Sequence, residues 1–304
     1  GAQTAQVVSF ARDFDRLNGI VDSNSMASSR LSATQMALGK LSETAQNFLA
    51  TLTATANGDA GATVTRSGAD TALQELNSIL NTSLNGEYLF AGVNTDVRPV
   101  NGFKEAGSPS KAAFDAAFLG HFGFAQNDPA AANITAAQMD TFITSALEPQ
   151  FLGAGWQANW SNATDQKIVS RIALNQTTET AVGANEECMR KLAMAAATIS
   201  DLFDSNLSVA GKKQLIERAV SMVGEAIAGL ADLQSQTGIV EKRVSDASER
   251  IKMQASLFEK NILDMEGVDP YEASTRVADL LSSIETSYAL TARIQQLSLL
   301  RFLG

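Results

Sequence analysis

Four residues of this sequence are candidates for catalysis or metal binding, and the residues around each of them decide whether it can take such a role. Ser108 and Lys111 have the Ser-x-x-Lys spacing, which places a lysine one helical turn from a nucleophilic serine. The companion motifs of that enzyme class are missing, and Ser108 in front of Pro109 is typical of a helix N-cap. His121 and Cys188 are the single histidine and cysteine, so the sequence offers neither a histidine pair for a metal ion nor a histidine base for the thiol.

From these patterns we predict a protein that is not an enzyme, with no catalytic residues, no cofactor and no metal site. His121 is then expected to be a surface or packing residue, and Cys188 a small, half-buried one. No glycine-rich loop of the kind that cradles phosphates is present.

The composition narrows the class of partner. The 304 residues carry a net charge of −10, which argues against nucleic acid and an anionic membrane surface as partners. No apolar run approaches the ~20 residues that span a bilayer, so we expect no membrane insertion.

No secretory signal peptide is visible, and because the sequence begins at Gly1 without a methionine we expect the native N-terminus to lie upstream. A hydrophobic fraction of 45% is ample for a core and indicates two domains.

The elements that would position any functional residue are long helices. Between residues 208 and 265, apolar residues recur at gaps of three and four without a proline, which predicts one helix on the order of 85 Å long. A second long helix is predicted over residues 7–52. Its apolar stripe is interrupted at Asn24 and Ser28, which fits either a solvated patch or a buried polar layer that sets the register.

Long helices with narrow stripes need partners of similar length. We therefore predict a mainly α fold, an elongated bundle of long helices from both chain ends with a small inserted α+β domain. Its core is expected to include Leu38, Phe48, Val244, Ile251 and Phe258.

The pattern changes in the middle of the chain. A shorter helix is predicted over residues 64–84 and is expected to end at Asn85 and Gly86, since both tolerate a left-handed backbone. The aromatic segment that follows predicts a hairpin near residues 87–100. Prolines, phenylalanines and both tryptophans then concentrate in residues 101–165, and a shift this sharp indicates an inserted domain.

The α+β assignment of the insert comes from short periodic segments. Helices are predicted at residues 109–119 and 136–147, the second opened by a capping box. Strands are predicted at residues 151–160 and 167–174, which are rich in aromatic and β-branched residues.

The segment after the insert is again predicted to be helical, over residues 185–203 and then along the long helix at residues 208–265. Gly224, Gly229 and Gly238 each cost a helix up to ~1 kcal/mol relative to alanine. We expect the compensation to be close approach of a neighbouring helix.

The last helix is predicted over residues 270–302, and its apolar stripe is at least as strong as those of the bundle. Leaving such a stripe in water is unfavourable, so we expect it to be an assembly interface or, in isolation, to be covered by a second copy or disordered beyond Tyr288. The residues predicted to form this interface are Val277, Leu281, Ile284, Tyr288, Ile294, Leu297 and Leu300.

Three segments resemble the bacterial flagellin family. Residues 83–96 (SLNGEYLFAGVNTD) are similar to its hairpin signature, residues 30–38 (RLSATQMAL) to its first long helix, and residues 288–300 (YALTARIQQLSLL) to its C-terminal helix. The resemblance covers residues 7–100 and 168–303, while residues 101–165 match nothing recognisable. The family's extreme N-terminal segment, which pairs with the C-terminal helix, would lie upstream of Gly1.

The resemblance implies an extracellular structural protein of the bacterial flagellum. Such proteins leave the cell through the flagellar type III pathway without a cleaved signal peptide, with an export chaperone as an additional partner. They assemble helically with copies of themselves and with other axial proteins, namely a hook-associated protein and flagellin. The implied domains are a discontinuous helical bundle (residues 1–100 and 166–268), an outer domain (101–165) and an assembly helix (269–304).

Three functions stay open from the sequence. The chain is a subunit that joins the hook to the filament, a filament-forming flagellin, or a surface module that binds a glycan or a receptor. The third function requires a cleft lined by Trp156 and Trp160, because aromatic faces stack on sugars. The other interpretation of these rings is that they form the core of a small domain.

Overall fold

The computed structural model describes residues 1–203, 206–266 and 270–303 of the chain. It is 73% helical, which confirms the predicted mainly α class. The helices in chain order are α1 (Ala2–Ala56), α2 (Ala62–Leu80), α3 (Pro109–Phe122), α4 (Ala136–Phe142), α5 (Glu148–Phe151), α6 (Glu187–Leu202), α7 (Val209–Met265) and α8 (Pro270–Leu303). The predicted long helices at residues 7–52 and 208–265 are therefore confirmed as α1 and α7.

Within the described residues, four short strands form two separate antiparallel pairs. The first pair joins β1 (Ser83–Leu84) to β2 (Glu87–Tyr88), and the second joins β3 (Val169–Ala173) to β4 (Gln176–Glu179). The strand predicted at residues 167–174 is thus confirmed.

The role predicted for Asn85 and Gly86 is wrong. They do not end a helix, because α2 stops at Leu80. Both have positive φ, 53° and 79°, which is the backbone of a two-residue Asn-Gly hairpin turn, and they connect β1 to β2. Asn81 is instead the C-cap of α2. Its side chain donates to the Val100 carbonyl and accepts from the Val100 amide.

The strand predicted at residues 151–160 is also wrong, because the segment is helical. It contains the end of α5 and a π-helical turn, Trp156–Trp160. The two indole rings stack at 5.3 Å with an interplanar angle of 10°, and both are buried in this helical turn. Burial of both rings therefore outweighs the strand preference of aromatic residues.

The chain divides into two compact units. The first contains Gly1–Gln35, Lys167–Ala181 and Gln236–Gly304, and the second contains Met36–Gln166 and Val182–Ser235. In the first unit α1 and α7 run antiparallel, since residues near the start of α1 pack against the end of α7. Its buried residues include Phe14, Leu17, Val21, Ile251, Ala255 and Ile284 in one cluster, and Leu31, Ile172, Val244 and Ala247 in another.

The core predictions are confirmed with one exception. Leu38, Phe48, Val244 and Ile251 are buried, whereas Phe258 is half-buried and packs against Phe10 with ring centroids 5.7 Å apart.

In the second unit α2 packs against α6, which is buried on almost every side. The close approach expected at three glycines of α7 occurs at one of them. A Cβ atom on Gly229 would lie 2.7 Å from the Cβ of Cys188 on α6, while Gly224 and Gly238 have no such contact.

Candidate functional site

The predicted assembly stripe on α8 divides into side chains that the chain itself covers and side chains that it does not. Val277 and Ile284 are buried, with exposed fractions of 1% and 6%. Leu281 and Ile294 are half-buried. The side chains of Tyr288, Leu297 and Leu300 lie outside the described residues.

Ile284 belongs to the core of the first unit. It lies in the same cluster as Phe14, Leu17 and Ile251, and Leu280 and Leu281 pack against that cluster from the same helix. This part of α8 therefore packs into the core of the subunit itself. Further along the helix, Leu290 is an apolar side chain with 57% of its area exposed.

A buried polar layer lies in the same unit, centred on Asn24 of α1. Its exposed fraction is 1%, and its Nδ2 donates to the Ile172 carbonyl of β3 at 3.0 Å and to the Ser248 hydroxyl of α7 at 3.1 Å. One amide thus ties three elements together, which supports the register-setting interpretation at this position. Ser28, the other half of the predicted interruption, is exposed.

In the second unit, backbone hydrogen bonds join the segment after β2 to the C-terminal end of the insert. The Val93 amide donates to the Gln166 carbonyl at 2.9 Å, and the Ala91 carbonyl accepts from the Thr164 amide at 3.1 Å. Gly92 between them has φ of 69°, and a Cβ there would lie 2.5 Å from the Thr164 carbonyl oxygen. The glycine allows both chains to approach at this point.

Asn185 is a central residue that the sequence analysis missed. Its Oδ1 accepts from the Trp156 indole at 2.9 Å and from the Ser161 hydroxyl at 2.5 Å. Its Nδ2 donates to the Ala163 carbonyl and to the Asp165 carboxylate, both at 2.9 Å. All four hydrogen-bonding positions of this buried amide are therefore used. Apolar periodicity carries no signal for such a residue.

The tryptophans form core and not a binding surface. Trp156 and Trp160 are exposed by 1% and 4%, and Trp160 also stacks on Phe103 at 5.5 Å. The void beside them holds about 10 Å³, room for at most one water. The cleft expected for a glycan at these two rings is absent from the described insert.

The Ser-x-x-Lys pair is structural. The Ser108 hydroxyl accepts the Lys111 amide at 3.1 Å, so it caps α3. The Lys111 ammonium points elsewhere and binds Asp115 at 2.5 Å and Asp201 at 2.7 Å. Burial acts to lower the pKa of Lys111, but these two carboxylates outweigh it and the pKa lies above its usual value. A lysine held in its charged form cannot take a proton from Ser108.

His121 and Cys188 occupy packing positions. His121 is exposed and its ring meets Phe122 edge-on at 4.7 Å. Cys188 is buried, and desolvation together with the charge of Glu186 raises the pKa of its thiol to about 12. The nucleophilic thiolate is therefore negligible at neutral pH.

Two classes of site have no support in the part of the chain that the structure describes. There is no group of three or more acidic, histidine or cysteine side chains that could hold a metal ion. Among the described helices, none combines the length and apolarity that crossing a bilayer requires.

Family models of known proteins match both ends of the chain. The bacterial flagellin N-terminal helical region matches residues 1–95, and the bacterial flagellin C-terminal helical region matches residues 220–303. No curated protein sequence gives a significant match. A solved structure of a provisionally assigned flagellar hook-associated protein from Vibrio parahaemolyticus is similar in fold, with a TM-score of 0.57 and 11% identity. The similarity covers 86% of this chain and 96% of that one.

The two flagellin regions together span more than half of the chain and include α1, α8 and most of α7. The helices they describe are the ones that pack together in the first unit. The chain therefore belongs to the bacterial flagellin family and is a structural protein of the flagellum.

Proposed function

We propose that this chain joins the hook to the filament as a hook-associated junction protein. The observation that carries the proposal is the extent of the fold similarity to the hook-associated protein. Coverage of 86% of the chain cannot be reached without most of residues 96–219, which lie outside both flagellin regions. The similarity therefore includes much of the segment by which members of this family differ from one another.

In this role the protein contacts hook-associated protein on one side and flagellin on the other. An assembly with two different contact surfaces on each subunit is open-ended and can be continued by another protein. Residues 101–165 form the outer domain in this proposal, residues 1–100 and 166–268 the bundle, and residues 269–304 the assembly helix. Export through the flagellar type III pathway, with a dedicated chaperone and no cleaved signal peptide, belongs to the same proposal.

The assembly surface of α8 is proposed to begin after Ile284. Val277 and Ile284 are occupied within the subunit, whereas Leu290 is exposed on the same helix. Leu281 and Ile294 are half-buried and contribute the edges of the surface. Tyr288, Leu297 and Leu300 remain proposed members on the strength of their spacing.

Deleting the gene tests the junction role. Loss of a junction protein leaves hooks in place and releases filaments into the medium, since filament subunits still polymerise but have nothing to attach to. Gold-labelled antibody should mark a single band between hook and filament. Attached filaments in the deletion strain would refute the proposal.

A filament-forming flagellin is the second candidate, because the family regions that match are those of flagellin itself. It predicts a different outcome in the same experiment. The antibody would then label the whole filament, and the deletion strain would release no filaments because none would form.

A pair of variants tests the α8 surface. Leu290→Glu should keep the fold, because the side chain is already exposed, and should abolish filament attachment. Ser283→Glu adds the same charge at an exposed position of the same helix and serves as the control. If both variants attach filaments equally well, the exposed part of α8 is not the assembly surface.

A further inference from the structure

A cleft of about 400 Å³ lies in the second unit between α3 and the segment that follows it. Its polar lining comes from Lys111, Asp115, Gln126, Asn127 and Asp201, and Leu119 lies at its apolar side with 54% of its area exposed. The volume falls in the range of about 300–1,000 Å³ that is usual for small-molecule pockets.

The polar groups of the cleft are held in place before any ligand arrives. Lys111 Nζ binds one carboxylate oxygen of Asp115 and one of Asp201. Gln126 Nε2 donates to the same Asp115 oxygen at 2.7 Å and to the second Asp201 oxygen at 3.1 Å. The Asp201 side chain is 92% buried, since its exposed fraction is 8%. Two helices, α3 and α6, and the 125–127 turn are thus fixed to one another around the opening.

Each of these groups keeps unused hydrogen-bonding capacity. Lys111 has a third N–H, and neither Asp115 Oδ2 nor Gln126 Oε1 accepts a hydrogen bond within the described part of the chain. The exposed Asn127 amide makes no hydrogen bond to any described residue, so it adds both a donor and an acceptor. The opening therefore offers both donors and acceptors to a ligand.

The charge of the cleft selects the class of ligand. One ammonium and two carboxylates leave one net negative charge, which repels anions. A small cation would have to displace Lys111, which already neutralises the carboxylates. A neutral polyhydroxylated ligand suits the array, because each hydroxyl both donates and accepts, and its C–H face can rest on Leu119, Ala116 and Ala125.

We propose that this cleft is a binding site for an uncharged sugar, with Asn127, Gln126, Asp115 and Lys111 as its hydrogen-bonding residues. The inference does not rest on the junction role, and it differs from a stacking site at the tryptophans, which are buried. The sugar is either a free monosaccharide or the end of a glycan chain.

The test is a titration of the isotope-labelled full chain with matched sugars, followed by amide chemical shifts in NMR. The probes are glucose, galactose, mannose and N-acetylglucosamine as neutral ligands, gluconate as the anionic partner and glucosamine as the cationic partner. Maltotriose compared with glucose separates a glycan chain from a free sugar, since a chain-binding site prefers the trisaccharide. Asn127→Ala removes ligand contacts without touching the ion pairs, and Asn133→Ala is the matched exposed control.

At least one neutral sugar should shift the amides of Lys111, Leu119, Gln126 and Asn127, and gluconate should not. Asn127→Ala should weaken binding about fivefold, the equivalent of one lost hydrogen bond, while Asn133→Ala binds as the parent does. The proposal is overturned if no neutral sugar shifts these amides, if glucosamine or gluconate binds as well as glucose, or if Asn127→Ala leaves the affinity unchanged.

Discussion

Asn185 should be among the most sensitive single residues of the second unit. Replacing it by alanine removes four hydrogen bonds at once, two accepted and two donated. A net contribution of about 1 kcal/mol for each bond gives about 4 kcal/mol. The Trp156 indole N–H, on a side chain exposed by only 1%, is also left without a partner and cannot reach water. We therefore expect Asn185→Ala to lower the free energy of unfolding by about 3–5 kcal/mol.

The assay is urea unfolding followed by tryptophan fluorescence. The chain contains two tryptophans, Trp156 and Trp160, and both lie in the second unit, so the signal reports on that unit alone. Asn47→Ala is the control, because Asn47 is exposed and its side chain makes no hydrogen bond to any described residue. A surface change of this kind should stay within about 0.5 kcal/mol.

Asn185→Asp separates the accepting from the donating side of the amide. An aspartate keeps both acceptor contacts, to Trp156 and Ser161, but it sets a negative oxygen against the Ala163 carbonyl and the Asp165 carboxylate. It should therefore destabilise the unit as much as alanine does. The argument fails if Asn185→Ala costs less than about 1 kcal/mol, because the bonds would then be replaceable by water.

The remaining predictions concern packing, titration and backbone geometry. Phe258→Ala should cost about 1–3 kcal/mol in urea unfolding followed by far-UV circular dichroism, less than at a fully buried phenylalanine, and no change at all would mean that its contact with Phe10 contributes nothing. Burial raises the pKa of Glu241 in the folded protein above its unfolded value. Ionisation of this carboxyl group therefore lowers the stability of the folded state as the pH rises from the unfolded pKa through the folded one. Glu241→Gln should accordingly raise the melting temperature at pH 7 and not at pH 4, while the exposed Glu249→Gln should change it at neither pH. Gly92→Ala should cost at least about 2 kcal/mol from left-handed backbone and steric overlap, and an unchanged melting temperature would contradict that.

The long helices were predictable because their signal is repeated many times. In α7 one apolar spacing recurs over 57 residues, so a single exception does not obscure the pattern. The capping box of α4 was equally clear, since Thr135 and Gln138 make both expected hydrogen bonds. Local patterns of this kind depend on near neighbours, which the sequence shows directly.

The errors occurred where a short segment is compatible with two local structures and packing decides between them, and the omission of Asn185 occurred where the partners lie far along the chain. Asn85 and Gly86 can end a helix or turn a hairpin, and only the pairing of Ser83 with Tyr88 selects the hairpin. Residues 151–160 have strand composition, but the stacking of Trp156 on Trp160 selects a helical turn. The four partners of Asn185 come from residues 20–29 positions away, so no local pattern could have identified it.

The apolar residues of α8 include side chains that the subunit covers and one that it leaves exposed. Periodicity reports that a side of the helix avoids water, but it does not report whether the cover comes from the same chain or from a neighbour. Val277 and Ile284 are covered within the subunit, so the first half of α8 contributes to folding. Leu290 is not covered, and burying its exposed area would contribute roughly 25 cal/mol per Å² to association. In the proposed role the same helix serves both processes, since Val277 and Ile284 contribute to the core of the subunit and the exposed Leu290 would contact a neighbour.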